Sequence, residues 1–251
     1  MAAITISGVS KEFRRHNCRN RWLRREMVNL ISGKRTRNDL WTVLHGMDFE
    51  IKPGETVAIL GRNGSGKSTL LKLMAGILQP TEGRIITHGS ICVLLDVGTG
   101  FHDDLTGREN VFINGAILGL PRKYLKTILP EIECFAELES FMDTPLKYYS
   151  SGMRARLGFA VAMSAEPDIF LIDEVLAVGD EGFRRKCYTR LDELVSRGST
   201  IVIVSHDMGA LQRLCRRGIW LEDGRIRSDG QINQVCEQYI GCFDAQSYAE
   251  R

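Results

Sequence analysis

Gly61-Arg62-Asn63-Gly64-Ser65-Gly66-Lys67-Ser68-Thr69 satisfies the pattern G-x-x-x-x-G-K-[ST], in surroundings that give the pattern a physical meaning. Before it, Glu55-Thr-Val-Ala-Ile-Leu60 reads as a buried strand; after it, Thr69–Ala75 reads as a helix. A polyphosphate carries several negative charges that must be held without covalent bonds. Gly61, Gly64 and Gly66 let the backbone turn so that successive N–H groups converge on an anion at a helix start. Lys67 is placed to reach the β- and γ-phosphates and Ser68 to offer its hydroxyl to Mg2+, with Arg62, Asn63, Ser65 and Thr69 completing the cradle. A chance glycine-rich turn would not need a strand and a helix on its two sides. The expected ligand is a nucleoside triphosphate.

The bulk numbers bound what surrounds this loop. The chain has 251 residues, 43% hydrophobic and 25% charged, an ordinary balance for a chain with a packed core. No apolar run approaches the roughly 18 residues of a membrane span, and the N-terminus lacks a charged-then-apolar signal pattern. Seven cysteines (Cys18, Cys92, Cys134, Cys187, Cys215, Cys236 and Cys242) are scattered without a C-x-x-C pair, which points away from a disulfide framework or zinc site and toward a reducing compartment. The net charge of +2 hides an asymmetry: Lys11–Arg37 carries ten Lys/Arg and two acidic residues, leaving the rest of the chain near −6. That basic stretch reads either as a solvated insertion between strands or as a contact for nucleic acid, anionic lipid headgroups or a partner's acidic surface.

Working outward, Ile4–Val9 and Thr42–Ile51 read as paired strands, Arg84–Thr87 and Ile91–Leu95 as short ones, and Thr106–Glu139 as helical, with Pro121 and Pro130 marking starts or breaks. A helix is expected over Ser151–Ala165, strands at Ile169–Ile172 and Ile201–Val204, a helix at Phe183–Val195 between them, and short elements ending near Ile240. Alternating strands and helices imply an α/β fold with a mainly parallel sheet; the all-helical middle looks like an insertion.

Three further stretches carry chemistry. Asp168-Ile-Phe-Leu-Ile-Asp173-Glu174 is an apolar strand ending in two carboxylates, so Asp173 is a candidate Mg2+ holder and Glu174 a candidate base for an attacking water. Tyr149-Ser150-Ser151-Gly152-Met153-Arg154 opens a helix; its serines fit an N-cap, and the same geometry fits a second phosphate site. Val202-Ile-Val-Ser205-His206-Asp207 places His206 at another strand end, on the face expected to hold Asp173 and the loop.

In this order, from Ile4 to about Ile240, these residues resemble the ATP-binding cassette of ABC transporters. Gly61–Thr69 matches Walker A, Ile169–Asp173 Walker B, Glu174 the catalytic glutamate, and Ser150–Arg154 the signature. Val178-Gly179-Asp180 matches the D-loop and His206 the switch histidine. The resemblance implies a P-loop NTPase (RecA-like) fold: a mainly parallel sheet core with an antiparallel β edge and an inserted α-helical subdomain. The implied boundaries are a single domain over 1–251, its core at 1–97 and 164–251, helical part at 98–163 and basic insertion at 14–41. Leu105-Thr-Gly-Arg-Glu-Asn110, Tyr149–Phe159 and Leu171–Asp180 are similar to the subgroup that exports capsular polysaccharide, O-antigen or teichoic acid.

That resemblance implies ATP and Mg2+ as cofactors, with Lys67, Glu174 and His206 in catalysis and Ser68 and Asp173 at the metal. Ser150, Ser151, Gly152 and Met153 would contact the ATP of a second copy of the chain. The family's glutamine between sheet and helices is missing from Leu95–Phe101, so Asp96 or the Gly98–Phe101 turn substitutes for it. Phe13 matches the adenine-stacking aromatic, with Trp22 and Trp41 as the other candidates. The implied partners are an integral membrane permease, a second copy in an ATP-sandwich homodimer, and a lipid-linked polysaccharide reached through the permease at the cytoplasmic face of the membrane. Nucleic acid is not expected: a cassette acting on nucleic acid or ribosomes is the rival, but no second cassette or long coiled coil accompanies the basic stretch. No N-K-x-D guanine-reading motif is present either. With about a dozen residues beyond Ile240, too few for a core, this chain is not expected to recognise the glycan itself.

Overall fold

The structure, a computed structural model, describes residues 1–14, 40–94, 98, 100–173 and 179–249, with side chains described as far as Cys242. Among the described residues, nine strands lie at Ile4–Arg14 (β1), Leu40–Ile51 (β2), Thr56–Leu60 (β3), Glu82–Thr87 (β4), Ile91–Leu94 (β5), Ile169–Asp173 (β6), Thr200–Val204 (β7), Arg217–Glu222 (β8) and Arg225–Gln231 (β9). Seven α-helices among the described residues lie at Lys67–Met74 (α1), Gly107–Ile117 (α2), Arg122–Ala136 (α3), Ser151–Met163 (α4), Glu181–Ser196 (α5), Met208–Leu214 (α6) and Ile232–Ala249 (α7).

Six strands form one sheet in the order β5-β6-β7-β3-β8-β9, parallel except for β9, and β2-β1-β4 form a separate antiparallel sheet. This is the expected mainly parallel core with an antiparallel edge. The strands β3, β6 and β7 are continuous apolar runs because both of their faces are covered. Ala58, Leu60, Phe170, Ile172, Ile201 and Ile203 face the helices α4 to α7. Their neighbours Val57, Ile59, Leu171, Val202 and Val204 face α1 and the antiparallel sheet. A third apolar cluster, centred on Val111, Leu125, Ile132 and Leu157, joins α2, α3, the segment after α3 and one face of α4.

Three expectations need correction. The helical stretch 106–139 is two helices, parted where Gly119 adopts φ +81° and Pro121 caps α3, while Pro130 lies inside α3 instead of ending it. It is tolerated because the carbonyl it leaves unbonded, on Lys126, is on the exposed face. The first strand runs past Val9 to Arg14, with bulges that keep it paired to both neighbours. The chain does not finish in short elements near Ile240: α7 continues to Ala249, anchored by buried Ile232, Val235, Cys236 and Tyr239.

Candidate functional site

The loop after β3 is shaped by contacts that only glycine permits. Gly61 has φ +152°, and a Cβ there would lie 2.4 Å from the Leu221 carbonyl and 2.5 Å from the Ser65 hydroxyl. Gly66, the N-cap of α1, has φ +103°, and a Cβ would lie 2.6 Å from a Leu44 methyl and 3.2 Å from the Val43 carbonyl. The loop is thus pinned between β8 and β2, with the start of α1 carrying no side-chain cap and no acidic residue in its first turn. The first-turn N–H groups are thus left without a side-chain acceptor, the condition in which a helix start binds anions. Lys67 is only 6% exposed, and its Nζ donates to the carbonyls of Gly61 at 2.8 Å and Arg62 at 3.0 Å. Ser65 Oγ is buried with no hydrogen-bond partner among the described residues, a polar atom aimed at the cradle. Ser68 and the tip residues Arg62, Asn63 and Gly64 are exposed, and Thr69 is half-buried.

Sheet register brings the other expected groups to the same edge. Ile59 pairs with Val204, and Val204 with Asp173, so β3, β7 and β6 end level with one another. Asp173 is half-buried with its Oδ1 inside the protein, and His206, two residues past the end of β7, is exposed. Ser205 accepts from the Asp207 N–H at 3.0 Å, and Asp207 caps α6 by accepting from Ala210 N–H at 3.0 Å. Those two local bonds fix the turn from which His206 projects. Loop, Asp173 and His206 therefore share the carboxyl edge of the parallel sheet, where α/β folds place their ligands.

The helix start at Ser150 is built differently. Ser150 Oγ accepts from Met153 N–H at 3.2 Å, forming the expected N-cap, with Ser151 exposed and Gly152 and Met153 half-buried. From there α4 runs 13 residues, about 20 Å, before its C-terminal end packs beneath the sheet. Ser150–Met153 belong to the far end of that helix and not to the loop's edge.

Phe13 is half-buried, directly across from Trp41, which is 53% exposed. The Lys11 ammonium covers Phe13 at 5.2 Å from the ring centroid. The close approach of Gly66 to Val43 and Leu44 sets β2 beside the loop, and Phe13 and Trp41 are paired two residues further along β1 and β2. Phe101 N–H donates to Gly98 O at 3.0 Å, so a turn exists where the glutamine is missing. Glu174, Asp96, Val178, Trp22 and nearly all of the 14–41 insertion lie outside the described residues.

Other groups escaped sequence reasoning. Leu105–Asn110 is a structural knot. Thr106 and Glu109 form a capping box, and Asn110, fully buried, donates to the carbonyls of His102, Leu105 and Thr106 and accepts from His102 N–H at 2.7 Å. A Cβ on Gly107 would lie 2.2 Å from the Tyr149 hydroxyl, so this segment and the one opening α4 fit as a pair. Arg154 of α4 reaches back to Asp103 at 2.5 Å and Arg156 to Glu137 and Asp180. The T-x-x-E spacing at Thr106 was available as a signal; nothing local announces the arginine partners. Burial pushes the thiols of Cys92, Cys187 and Cys215 up to about 12, which leaves them protonated and chemically quiet.

The ABC transporter family model matches residues 44–177. The O-antigen export system ATP-binding protein RfbB of Myxococcus xanthus is 44% identical over 99% of this chain, which spans 59% of that protein. A protein of the same name from Klebsiella pneumoniae is 46% identical over 79% of this chain and 81% of its own length. Among solved structures, a dimeric ATP-binding cassette bound to ADP and phosphate aligns with TM-score 0.72 at 23% identity, covering 91% of this chain and 98% of that one.

Proposed function

This chain belongs to the ABC transporter family, and from that premise we propose that it is the ATP-hydrolysing subunit of an exporter of a lipid-linked cell-surface polysaccharide, of O-antigen or capsular type. The observation that carries the ATPase is the level ending of β3, β7 and β6, which gathers the Lys67 loop, His206 and Asp173 along one edge. The polysaccharide class is supported by the identity to O-antigen export proteins across most of the chain.

In this reading Lys67 exchanges the carbonyls of Gly61 and Arg62 for oxygens of the β- and γ-phosphates, and the N–H groups at the start of α1 hold the same oxyanions. Ser68 and Asp173 supply hard oxygen donors that suit Mg2+, and the buried Asp173 Oδ1 and exposed Ser68 leave no soft ligand in the set. Bound Mg2+ would neutralise charge on the phosphate oxygens. Glu174 takes a proton from water as the water oxygen bonds to the γ-phosphorus; the bond to the β–γ bridging oxygen breaks, leaving ADP and inorganic phosphate. His206 steadies the departing γ-phosphate, Phe13 stacks the adenine, and Asp96 or the Gly98–Phe101 turn takes the place of the missing glutamine.

Because Ser150–Met153 sit at the far end of α4, they serve the nucleotide of a second copy. Residues 98–163 act as the helical part of a single cassette, the remainder as its core. No helix among the described residues is long and apolar enough to cross a membrane; the chain works on the cytoplasmic face of the membrane against a separate permease, which handles the polymer. Glu174→Gln is expected to lower steady-state ATP hydrolysis by about a thousandfold or more while ATP binding persists. Normal turnover in that variant would remove Glu174 as the base. In the host, the same variant should leave the polymer inside the cell, and undiminished surface polysaccharide would refute the export reading.

A further inference from the structure

Three helices meet where α4 passes between the tip of α3 and the start of α5, and the joint has both an apolar floor and a charged roof. Its floor is three aromatic rings, one per helix: Phe135 of α3, Phe159 of α4 and Phe183 of α5. Phe183 stands edge-on to Phe135 at 5.6 Å and to Phe159 at 6.2 Å. Over Phe183 lies the guanidinium of Arg156, 5.1 Å from the ring centroid and only 19% exposed. The two ends of its fork go to different elements. One nitrogen bonds Glu137 at 2.7 Å; Glu137 ends α3 in the left-handed conformation, φ +58°. The other bonds Asp180 at 2.5 Å.

Asp180 has a second task at the same carboxylate: it is the N-cap of α5, accepting from Phe183 N–H at 2.9 Å. Lys186 adds a further bond to Glu137 from the second turn of α5. The N–H of Phe183, the bond to Arg156 and the nearby guanidinium charge hold the Asp180 carboxyl below the usual aspartate range. The Lys186 ammonium does the same, more than Arg156, for Glu137. Both carboxyls are therefore charged at neutral pH, and a planar fork stacked on an aromatic ring is a geometry lysine does not reproduce.

The position of this joint gives it a use. Arg156 is six residues past Ser150, about 9 Å along α4 from the end that faces a second copy. Asp180 closes the stretch that begins at Asp173 and includes Glu174, the segment between β6 and α5. We propose that Arg156 is a positioning residue for ATP hydrolysis: it locks the Ser150–Met153 end of α4 to Asp180, so that the part of the site offered to a neighbouring copy and the part acting on the chain's own nucleotide move as one piece. The inference rests on the ATPase reading above. The partners of Arg156 are Glu137, Asp180 and Phe183 and none belongs to the Lys67 loop, so its loss should leave nucleotide affinity in place and reduce turnover.

The test compares the full-length wild-type chain with Arg156→Lys, Arg156→Ala and Glu137→Gln. Binding of a fluorescent ATP analogue, the dependence of hydrolysis on ATP concentration, and thermal unfolding are measured for each. Arg156→Lys is expected to fold normally and bind nucleotide within about twofold of wild type, with kcat lowered about tenfold or more and the Hill coefficient falling toward one. Glu137→Gln, which keeps Asp180 in the fork, should lower kcat by only about two- to threefold. If Arg156→Ala fails to fold, Arg156→Lys decides alone. A wild-type kcat and Hill coefficient in Arg156→Lys would overturn the proposal, as would a loss of nucleotide affinity that matches the loss of rate. Failure of the wild-type chain itself to hydrolyse ATP would instead refute the parent ATPase reading.

Discussion

The two helix starts at Gly66 and Ser150 look alike in sequence, each a small-residue turn before an apolar helix, yet they are made by different means. At α1 the N-cap is a glycine in the left-handed region, held by steric contact with Leu44 and Val43, and no side chain claims the first-turn N–H groups. At α4 the N-cap is a serine in extended conformation whose hydroxyl already binds Met153 N–H. The first start is shaped for a ligand by its backbone alone; the second is complete without one. That difference fits a division of labour in which a chain holds its own triphosphate through Gly61–Thr69 and lends Ser150–Met153 to another copy only when the two close.

The largest blow to this contrast comes from Gly66→Ala. The new Cβ meets the Leu44 methyl in a backbone conformation that costs an L-residue about 1–3 kcal/mol, and relief requires turning the α1 amides away. Nucleotide affinity should fall more than about tenfold with a lowered unfolding temperature; titration with ATP analogue would read it, and wild-type affinity would erase the distinction. Ser150→Ala should act more mildly and elsewhere. Loss of the cap costs about 1 kcal/mol, or about 2–4 °C in a chain of this size. The chain's own nucleotide affinity should hold while hydrolysis drops. A parallel loss of affinity would show that both helix starts serve one nucleotide.

The smallest effect expected is the response to acid. The folded chain holds the Glu137 and Asp180 carboxyls below their ordinary values, chiefly through Lys186 for the former and Phe183 N–H for the latter. Unfolding therefore takes up protons, and the stability these groups add is complete above their unfolded values of about 4. It is lost as pH falls through the folded ones. The unfolding temperature should stay level from pH 8 to about 5 and decline below about 4.5, less steeply in Glu137→Gln. An unchanged slope in that variant would assign the acid sensitivity to other carboxylates.

The sheet and the phosphate loop were legible because their causes are local. An apolar strand, a glycine pattern and a helix fall within Thr56–Met74, and the level ends of β3, β6 and β7 follow once three apolar runs are recognised. The split at Gly119–Pro121 was only half legible: Pro121 and Pro130 carry the same sequence signal, and burial alone tells a cap from an exposed interior position. The Arg156 joint was not legible at all. Its partners are 19 and 24 residues away in opposite directions along the chain, and only the packing of Phe135, Phe159 and Phe183 brings them together. Glu174 follows from the carboxylate pair at the end of an apolar strand and Asp96 only from the family resemblance, and both lie outside the described residues.

The sheet order also has a consequence for how the protein is made. The strand β3 leads into the phosphate loop, yet both of its neighbours, β7 and β8, come from residues 200–222. At about 5–20 residues per second, a ribosome needs on the order of ten to thirty seconds between finishing β3 and supplying its flanks. Through that interval the Gly61 backbone lacks the Leu221 carbonyl against which it is set. The loop's last steric constraint is therefore supplied only when synthesis has passed Leu221.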